Sequence, residues 1–278
     1  MVKSAREIGF CFGVKRAVSL CEDALKKYGT CVSLGPIIHN ERVNERLASA
    51  GLEVVDPAEA GAKPVIIRSH GLHPDIRRKL TSGKRKVIDA TCPFVRRVQE
   101  LVEELRKKGY IIVIVGKKDH PEVTALAGFA GRQGYVYPVK PETVRGKKVA
   151  VVSQTTSTEE DYQRALIAIL KSGLPAELRT FDTVCRVTER RQKEARRIAG
   201  QSDILLVIGS RKSANTRNLY RLLRREEKQT FLVSAPDEIK KSWCGPNLRI
   251  GLVSGTSTPE ETIQEIKQKL EKGCDLNV

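Results

Sequence analysis

Three times along this chain a short apolar run leads into a cysteine, and the cysteine opens a helical pattern. Asp89-Ala90-Thr91-Cys92-Pro93 lies between the run ending at Ile88 and a pattern starting at Phe94. Arg6-Glu7-Ile8-Gly9-Phe10-Cys11 precedes the pattern from Val14, and Phe181-Asp182-Thr183-Val184-Cys185 precedes the one from Thr188. The three cysteines are spaced at intervals of about eighty to ninety residues, and the path from Cys185 through the C-terminus back to Cys11 is of similar length. A chain built this way is expected to be three-part, with one thiol from each part available to a shared metal or cluster.

Between the cysteines, strand and helix patterns alternate, which predicts parallel sheets. The first part reads as strand 6–10, a helix with Val14, Ala17, Val18, Cys21 and Leu25 on its apolar stripe, strand 30–34, a helix over 40–50, strand 64–68, a helix from Pro74 and strand 86–89. The second reads as a helix from Pro93, strand 110–115, an edge strand 135–137, strand 148–152, a helix from Thr158 and strand 178–182. In the third, a basic helix over 188–200 is followed by strand 204–208, a helix carrying Leu219, Leu222 and Leu223, strand 231–233, strand 249–253 and a last helix from Pro259. No closing strand remains for this part, so strand 6–10 is expected to close it. The division is therefore 12–92, 93–184, and 185–278 plus 1–11.

Ligands of parallel sheets bind beyond the carboxyl ends of the strands. There the chain places His39, His70, His120, Glu122, Thr155, Ser213, Asn215 and Ser257. Several precede a helix by one or two residues, where free N–H groups and the helix dipole favour an anion. Three of only four histidines fall at such ends. Many short donors without a glycine-rich phosphate loop suit a small diphosphate, and Glu122 could supply protons.

Three thiolates are one short of a closed tetrahedral set. A zinc ion with an open position fits, and so does a [4Fe–4S] cluster with one iron left for a substrate oxygen. Structural zinc sites draw on close pairs such as C-x-x-C; this chain has none, which favours the cluster. Cys21, Cys31, Cys244 and Cys274 are read as structural. A zinc hydrolase would be colourless where a cluster protein is brown.

The net charge of +17 raises nucleic acid as a partner. The basic residues, however, are spread along predicted helix faces, as in Lys26-Lys27, Arg106-Lys107-Lys108 and Arg190-Arg191. Solvated helix surface accounts for most of them, few aromatic residues could stack on bases, and no nucleic-acid motif is present. No apolar run is long enough to span a bilayer, and the first residues have no signal-peptide character. A cytosolic protein with mostly reduced cysteines is expected.

Gly9-Phe10-Cys11-Phe12-Gly13-Val14, Gly35-Pro36-Ile37-Ile38-His39-Asn40, Arg68-Ser69-His70-Gly71, Asp89-Ala90-Thr91-Cys92-Pro93, His120-Pro121-Glu122 and Ser153-Gln154-Thr155-Thr156 together resemble the 4-hydroxy-3-methylbut-2-enyl diphosphate reductases, which complete the methylerythritol phosphate route to isoprenoids. The resemblance runs from Gly9 to Ser257. It implies a pseudo-threefold trefoil of three α/β domains around a [4Fe–4S] cluster held by Cys11, Cys92 and Cys185. It implies diphosphate binding by His39, His70, Ser213, Asn215 and Ser257, and places His120 near both diphosphate and proton relay. Glu122 matches the proton donor, and Thr155 its hydroxyl partner near the substrate alcohol. The implied reaction removes the substrate hydroxyl as water with two electrons and protons, giving isopentenyl and dimethylallyl diphosphates, with ferredoxin or flavodoxin as electron source. Ala214 stands where the family usually has a second serine, and Glu189-Arg190 replaces a usually uncharged polar pair.

Overall fold

A computed structural model of the chain describes residues 1–275 apart from 57, 58, 60, 84, 226–228 and 246; the side chains of 172, 274 and 275, Cys274 among them, lie outside the described set. Twelve strands among the described residues form three four-stranded sheets, all parallel. One joins β2 (Cys31–Ser33), β3 (Leu52–Val54), β4 (Val65–Ile67) and β5 (Val87–Asp89) in the order β3-β2-β4-β5. Another joins β6 (Ile111–Val115), β7 (Gly134–Val136), β8 (Lys148–Ser153) and β9 (Glu177–Thr180) in the order β7-β6-β8-β9. The last joins β1 (Val2–Ser4), β10 (Ile204–Ile208), β11 (Gln229–Val233) and β12 (Ile250–Ser254) in the order β1-β12-β10-β11.

The central strands explain why the sheets are parallel. Ile112, Val113 and Ile114 are all fully buried, as are Leu205 to Ile208. Strands apolar on both faces need cover on both faces, which crossover helices supply. Those helices are α1 (Phe12–Tyr28), α2 (Glu41–Ser49), α3 (Pro74–Thr81), α4 (Pro93–Lys107), α5 (Pro121–Ala130), α6 (Pro141–Val144), α7 (Glu159–Gly173), α8 (Arg186–Ala199), α9 (Ala214–Arg224) and α10 (Glu260–Asp275). On α4, for example, Val95, Val98, Val102 and Leu105 are buried. Residues Val98, Val102 and Leu105 pack with Ile112, Ile114 and Val152 in one cluster. Burying each such side chain stabilises by about 1.5–3 kcal/mol relative to leaving it in water.

Helix starts are encoded locally. Prolines occupy the first positions of α3, α4 and α5, where the missing N–H costs no bond. Thr158 caps α7 by accepting from Asp161 N, and Ser213 caps α9 by accepting from Thr216 N.

Two expectations are corrected. The strand closing the third sheet is Val2–Ser4, in register with Ile250–Leu252, rather than 6–10. Ala5 N still donates to Leu252 O, but the chain then bends and reaches Gly9 at φ +87°, which an extended ladder excludes. The stretch after Gly51, read as loop, contains β3, an edge strand in register with β2.

By contacts the chain divides into two compact units. One comprises Met1–Lys15, Ile38–Glu45 and Arg186–Val278, the other Arg16–Ile37 and Arg46–Cys185.

Candidate active site

Each of the three recurring cysteines is fixed in the same way. The backbone N–H of Cys92 donates to Ser69 O at 2.9 Å, that of Cys185 to Thr155 O at 2.9 Å, and that of Cys11 to Thr256 O at 3.0 Å. Each acceptor stands two residues beyond the end of a buried strand: β4, β8 and β12 respectively. Every cysteine is thus tied to the carboxyl-end loop of its own sheet, and each is only half-buried at the N-terminus of a helix.

Two of the approach loops share a further device. Asp89 Oδ1 accepts from Thr91 N at 3.0 Å, and Asp182 Oδ1 accepts from Val184 N at 3.2 Å. An aspartate three residues before the cysteine therefore closes an Asx turn that sets up the helix start. Although burial acts to raise it, the pKa of Asp89 is held below the ordinary carboxylate value by its bonds to Thr91 and by Arg96 and Arg77. Those guanidinium groups lie 2.7 and 3.1 Å from its carboxylate.

Cys21, Cys31 and Cys244 differ in kind. They are buried, Cys21 and Cys31 completely, and burial pushes the Cys21 thiol up to about 12. A thiol that resists ionisation is a poor metal ligand, whereas the other three are partly exposed at helix N-termini. No described cysteine is in a disulfide.

In the unit containing residues 46–185, α5 carries two functional candidates on its first turn. His120 caps the helix, with Nδ1 accepting from Glu122 N at 3.2 Å. Its ring packs edge-on to that of His70, with centroids 5.1 Å apart. Accepting at Nδ1 assigns the neutral ring its proton on Nε2.

Glu122 is 1% exposed and has no cation beside it among the described residues. Its Oε1 accepts from Thr155 N at 2.6 Å and its Oε2 from Thr155 Oγ1 at 2.9 Å. Burial disfavours the carboxylate more than the two Thr155 bonds favour it, and the pKa rises to about 7. A carboxyl group poised there can donate a proton at neutral pH. Since Thr155 O also receives the Cys185 N–H, one residue spaces the acid and the thiol.

The other unit holds Cys11, His39, Ser213, Asn215 and Ser257. Ser257 Oγ donates to His39 O at 3.1 Å, and Asn40 Nδ2 donates to Ser257 O at 2.9 Å. Ser213 Oγ accepts from Thr216 N at 3.3 Å, which leaves its hydroxyl proton for another acceptor. Asn215 is 2% exposed, yet among the described residues neither its Oδ1 nor its Nδ2 has a hydrogen-bond partner. Leaving a buried amide unsatisfied costs about 1–3 kcal/mol, a cost that a bound polar ligand removes. Gly255 admits Thr216 closely: a Cβ there would collide with Thr216 Oγ1.

The fourth histidine, His73, caps α3, with Nδ1 accepting from Asp75 N at 3.3 Å. The unusual residues on α8 are solvent-facing: Glu189 pairs with Lys193 and Arg190 with Glu7. Asn40 and the two aspartates were not singled out from the sequence; the Asp at the third position before Cys92 and Cys185 was the signal available.

The LytB protein family matches residues 2–271 of the chain. The chain belongs to the LytB family. Curated LytB relatives similar to it are 4-hydroxy-3-methylbut-2-enyl diphosphate reductases. That of Nautilia profundicola is 35% identical over 98% of this chain and 99% of its own length. That of Aquifex aeolicus is 36% identical over 98% and 96%, and that of Geobacter sulfurreducens 38% over 96% of each. Two solved structures are also similar. One is described as (E)-4-hydroxy-3-methyl-but-2-enyl diphosphate reductase, the terminal enzyme of the non-mevalonate pathway, with TM-score 0.72 at 35% identity over 98% of this chain and 99% of that one. The other, the E-1-hydroxy-2-methyl-but-2-enyl-4-diphosphate reductase from Plasmodium falciparum, has TM-score 0.88 at 26% identity over 96% and 87%. Among the described residues of this LytB chain no helix is long and apolar enough to cross a membrane.

Proposed function

We propose that this chain is a 4-hydroxy-3-methylbut-2-enyl diphosphate reductase. In this reading Cys11, Cys92 and Cys185 together ligate one [4Fe–4S] cluster. The residues His39, His70, His120, Ser213, Asn215 and Ser257 hold the diphosphate, and Glu122 with Thr155 delivers the proton. Residues 12–92, 93–184, and 185–278 with 1–11 act as three α/β domains, with one of the three thiols at each junction between them. The observation that carries the reading is the pairing of Glu122 with Thr155, a buried acid of pKa about 7 held by two bonds to one residue.

The cysteine settings suit the cluster. Three thiols are half-exposed at helix N-termini and tied by the same backbone bond to three strand-end loops, whereas Cys21, Cys31 and Cys244 are core residues. When bound, the cluster would pass on the two electrons one at a time from the external carrier and would offer a Lewis-acidic iron to the substrate alcohol. The protein contributes the rest. Asn215 and the Ser213 hydroxyl offer hydrogen bonds to phosphate oxygens, and the Ser257 hydroxyl does so once it turns away from His39 O. The Glu122 carboxyl lends a proton through the Thr155 hydroxyl and is recharged from solvent between turnovers. A small acidic electron carrier of the ferredoxin or flavodoxin class completes the reaction, and the cytosol is the compartment that keeps the thiols reduced.

Anaerobic absorbance with iron and sulfide analysis, together with turnover of the allylic diphosphate to the two isoprenyl diphosphates, tests this reading; a colourless zinc protein would overturn it. Asn215→Ala is expected to weaken diphosphate binding by about 1.5–3 kcal/mol, the range for a hydrogen bond to a charged group. Calorimetric titration with substrate measures it. Unchanged affinity in both Asn215→Ala and His39→Ala would remove the anion from this place.

A further inference from the structure

Arg191 lies in a helix so basic that its sequence reads as solvated surface, yet it is only 5% exposed while its neighbour Arg190 faces water. Its guanidinium is surrounded by main chain. Nη2 donates to Gly9 O at 2.7 Å, and Nη1 lies 3.2 Å from Ser254 O and 3.1 Å from Gly255 O. No carboxylate is among these partners. Its Nε is buried with no hydrogen-bond partner among the described residues.

The two loops it joins are those of Cys11 and Ser257. They are stitched a second time by Gly9 N donating to Ser254 Oγ at 2.9 Å, and a third time by Cys11 N donating to Thr256 O. Gly9 adopts φ +87°, a conformation open to glycine. One main-chain bond and one bond to the Ser254 hydroxyl already define the path of this loop. A neutral side chain could supply the rest; a buried cation is needed only if its charge is used, because burying an uncompensated charge is costly. The ionisable groups that bear on Arg191 electrostatically are Cys11 and Glu7. Glu7 is engaged by Arg190 at 2.6 Å, which leaves Cys11, two residues beyond the Gly9 carbonyl that Arg191 holds, as the group on which this cation acts.

Resting on the reading of Cys11 as a cluster ligand, we propose that Arg191 is a positioning residue with an electrostatic duty. It holds the Cys11 loop against the Ser257 loop, and its buried positive charge raises the reduction potential of the cluster by stabilising the more negative, reduced form. Burial and fixed charge near a cluster are among the levers that set such potentials.

The test compares the parent with Arg191→Gln and Arg191→Lys, each loaded with cluster anaerobically and checked for iron and sulfide. The midpoint potential is then measured by redox titration monitored by electron paramagnetic resonance. The expected result is a fall in Arg191→Gln equivalent to at least a tenfold shift of the one-electron equilibrium, about 59 mV, with Arg191→Lys staying close to the parent. Loss of cluster from the glutamine variant alone also supports the charge, because lysine restores it. Equal potentials in all three proteins, an equal fall in both variants, or loss of cluster from both would overturn the inference and leave Arg191 a packing residue. A parent protein that takes up no cluster would instead sink the reductase reading itself, so the two failures are distinguishable.

Discussion

Glu122→Gln is expected to fold, to take up its cluster and to bind diphosphate, yet to turn over at least about a hundredfold more slowly, the lower range for loss of general acid catalysis. The substitution preserves the geometry. Thr155 N can still donate to the amide oxygen, and Thr155 Oγ1 can accept from the amide nitrogen in place of its present donation to Oε2. Only the exchangeable carboxyl proton is lost. In the parent, a proton on Oε2 turns the Thr155 hydroxyl from donor into acceptor and frees the hydroxyl's own proton to move on. Thr155→Ala should fall less than Glu122→Gln, because water can take the hydroxyl's place in such a relay.

The pH profile separates this role from a helix-cap role. Burial raises the Glu122 pKa to about 7, so the acid form is the majority species below that value and is lost above it. Parent turnover should therefore decline as pH rises through about 7, while the residual rate of Glu122→Gln should be flat there. Stability moves with the same proton. The folded pKa lies above the ordinary carboxyl value, so the native state binds more protons than the unfolded state between about 4.5 and 7, and stability falls as pH rises across that window. Thermal unfolding of the glutamine variant should lack that slope. A near-normal turnover at matched cluster content would return Glu122 to the dipole-favouring role of an acid in a first helical turn, worth about 0.3–1 kcal/mol.

Cys92→Ser is expected to lose most of the cluster and nearly all reductase activity while remaining folded. The thiol is half-buried, and the backbone features that place it belong to other atoms: the Asp89 turn, the Pro93 helix start and the N–H bond to Ser69. A serine keeps all three and removes only the sulfur. Cys11→Ser and Cys185→Ser should behave alike. Cys21→Ser is the control: that residue is fully buried on the apolar side of α1, so a hydroxyl there costs stability and leaves iron and sulfide at parent levels. Iron and sulfide assays on the four variants decide it. Full cluster in Cys92→Ser beside a cluster-free Cys21→Ser would reverse the assignment.

The sheets were legible because buried parallel strands read as unbroken apolar runs, as in Ile111–Val115 and Ile204–Ile208. The edges were not. The strand Leu52–Val54 has one buried residue of three, too little pattern to separate it from loop. Ile8 and Phe10 supplied an apolar signal for a strand, but they are half-buried loop residues, and the true edge strand is the weakly patterned Val2–Ser4. Glu122 could be proposed from its place after His120-Pro121, whereas its raised pKa depends on the enclosure that only packing creates. Arg191 illustrates the same limit from the other side. Nothing in Arg186–Ala199 as a string tells one arginine that it faces carbonyls and its neighbour that it faces water.

The sheet that joins Val2–Ser4 to Ile250–Leu252 also dictates an order of events during synthesis. The unit of residues 16–37 and 46–185 can complete itself once residue 185 has left the ribosome, because all its strands are then available. The other unit cannot, since Val2–Ser4 must wait for Ile250–Leu252, and a closure over a separation that long is entropically late as well. Cys92 and Cys185 are therefore fixed in folded surroundings while Cys11 still belongs to an open segment. On the proposed reading of these thiols as cluster ligands, loading by all three would follow the synthesis of β12, and a nascent chain stalled before it would hold Cys11 in an unfinished sheet.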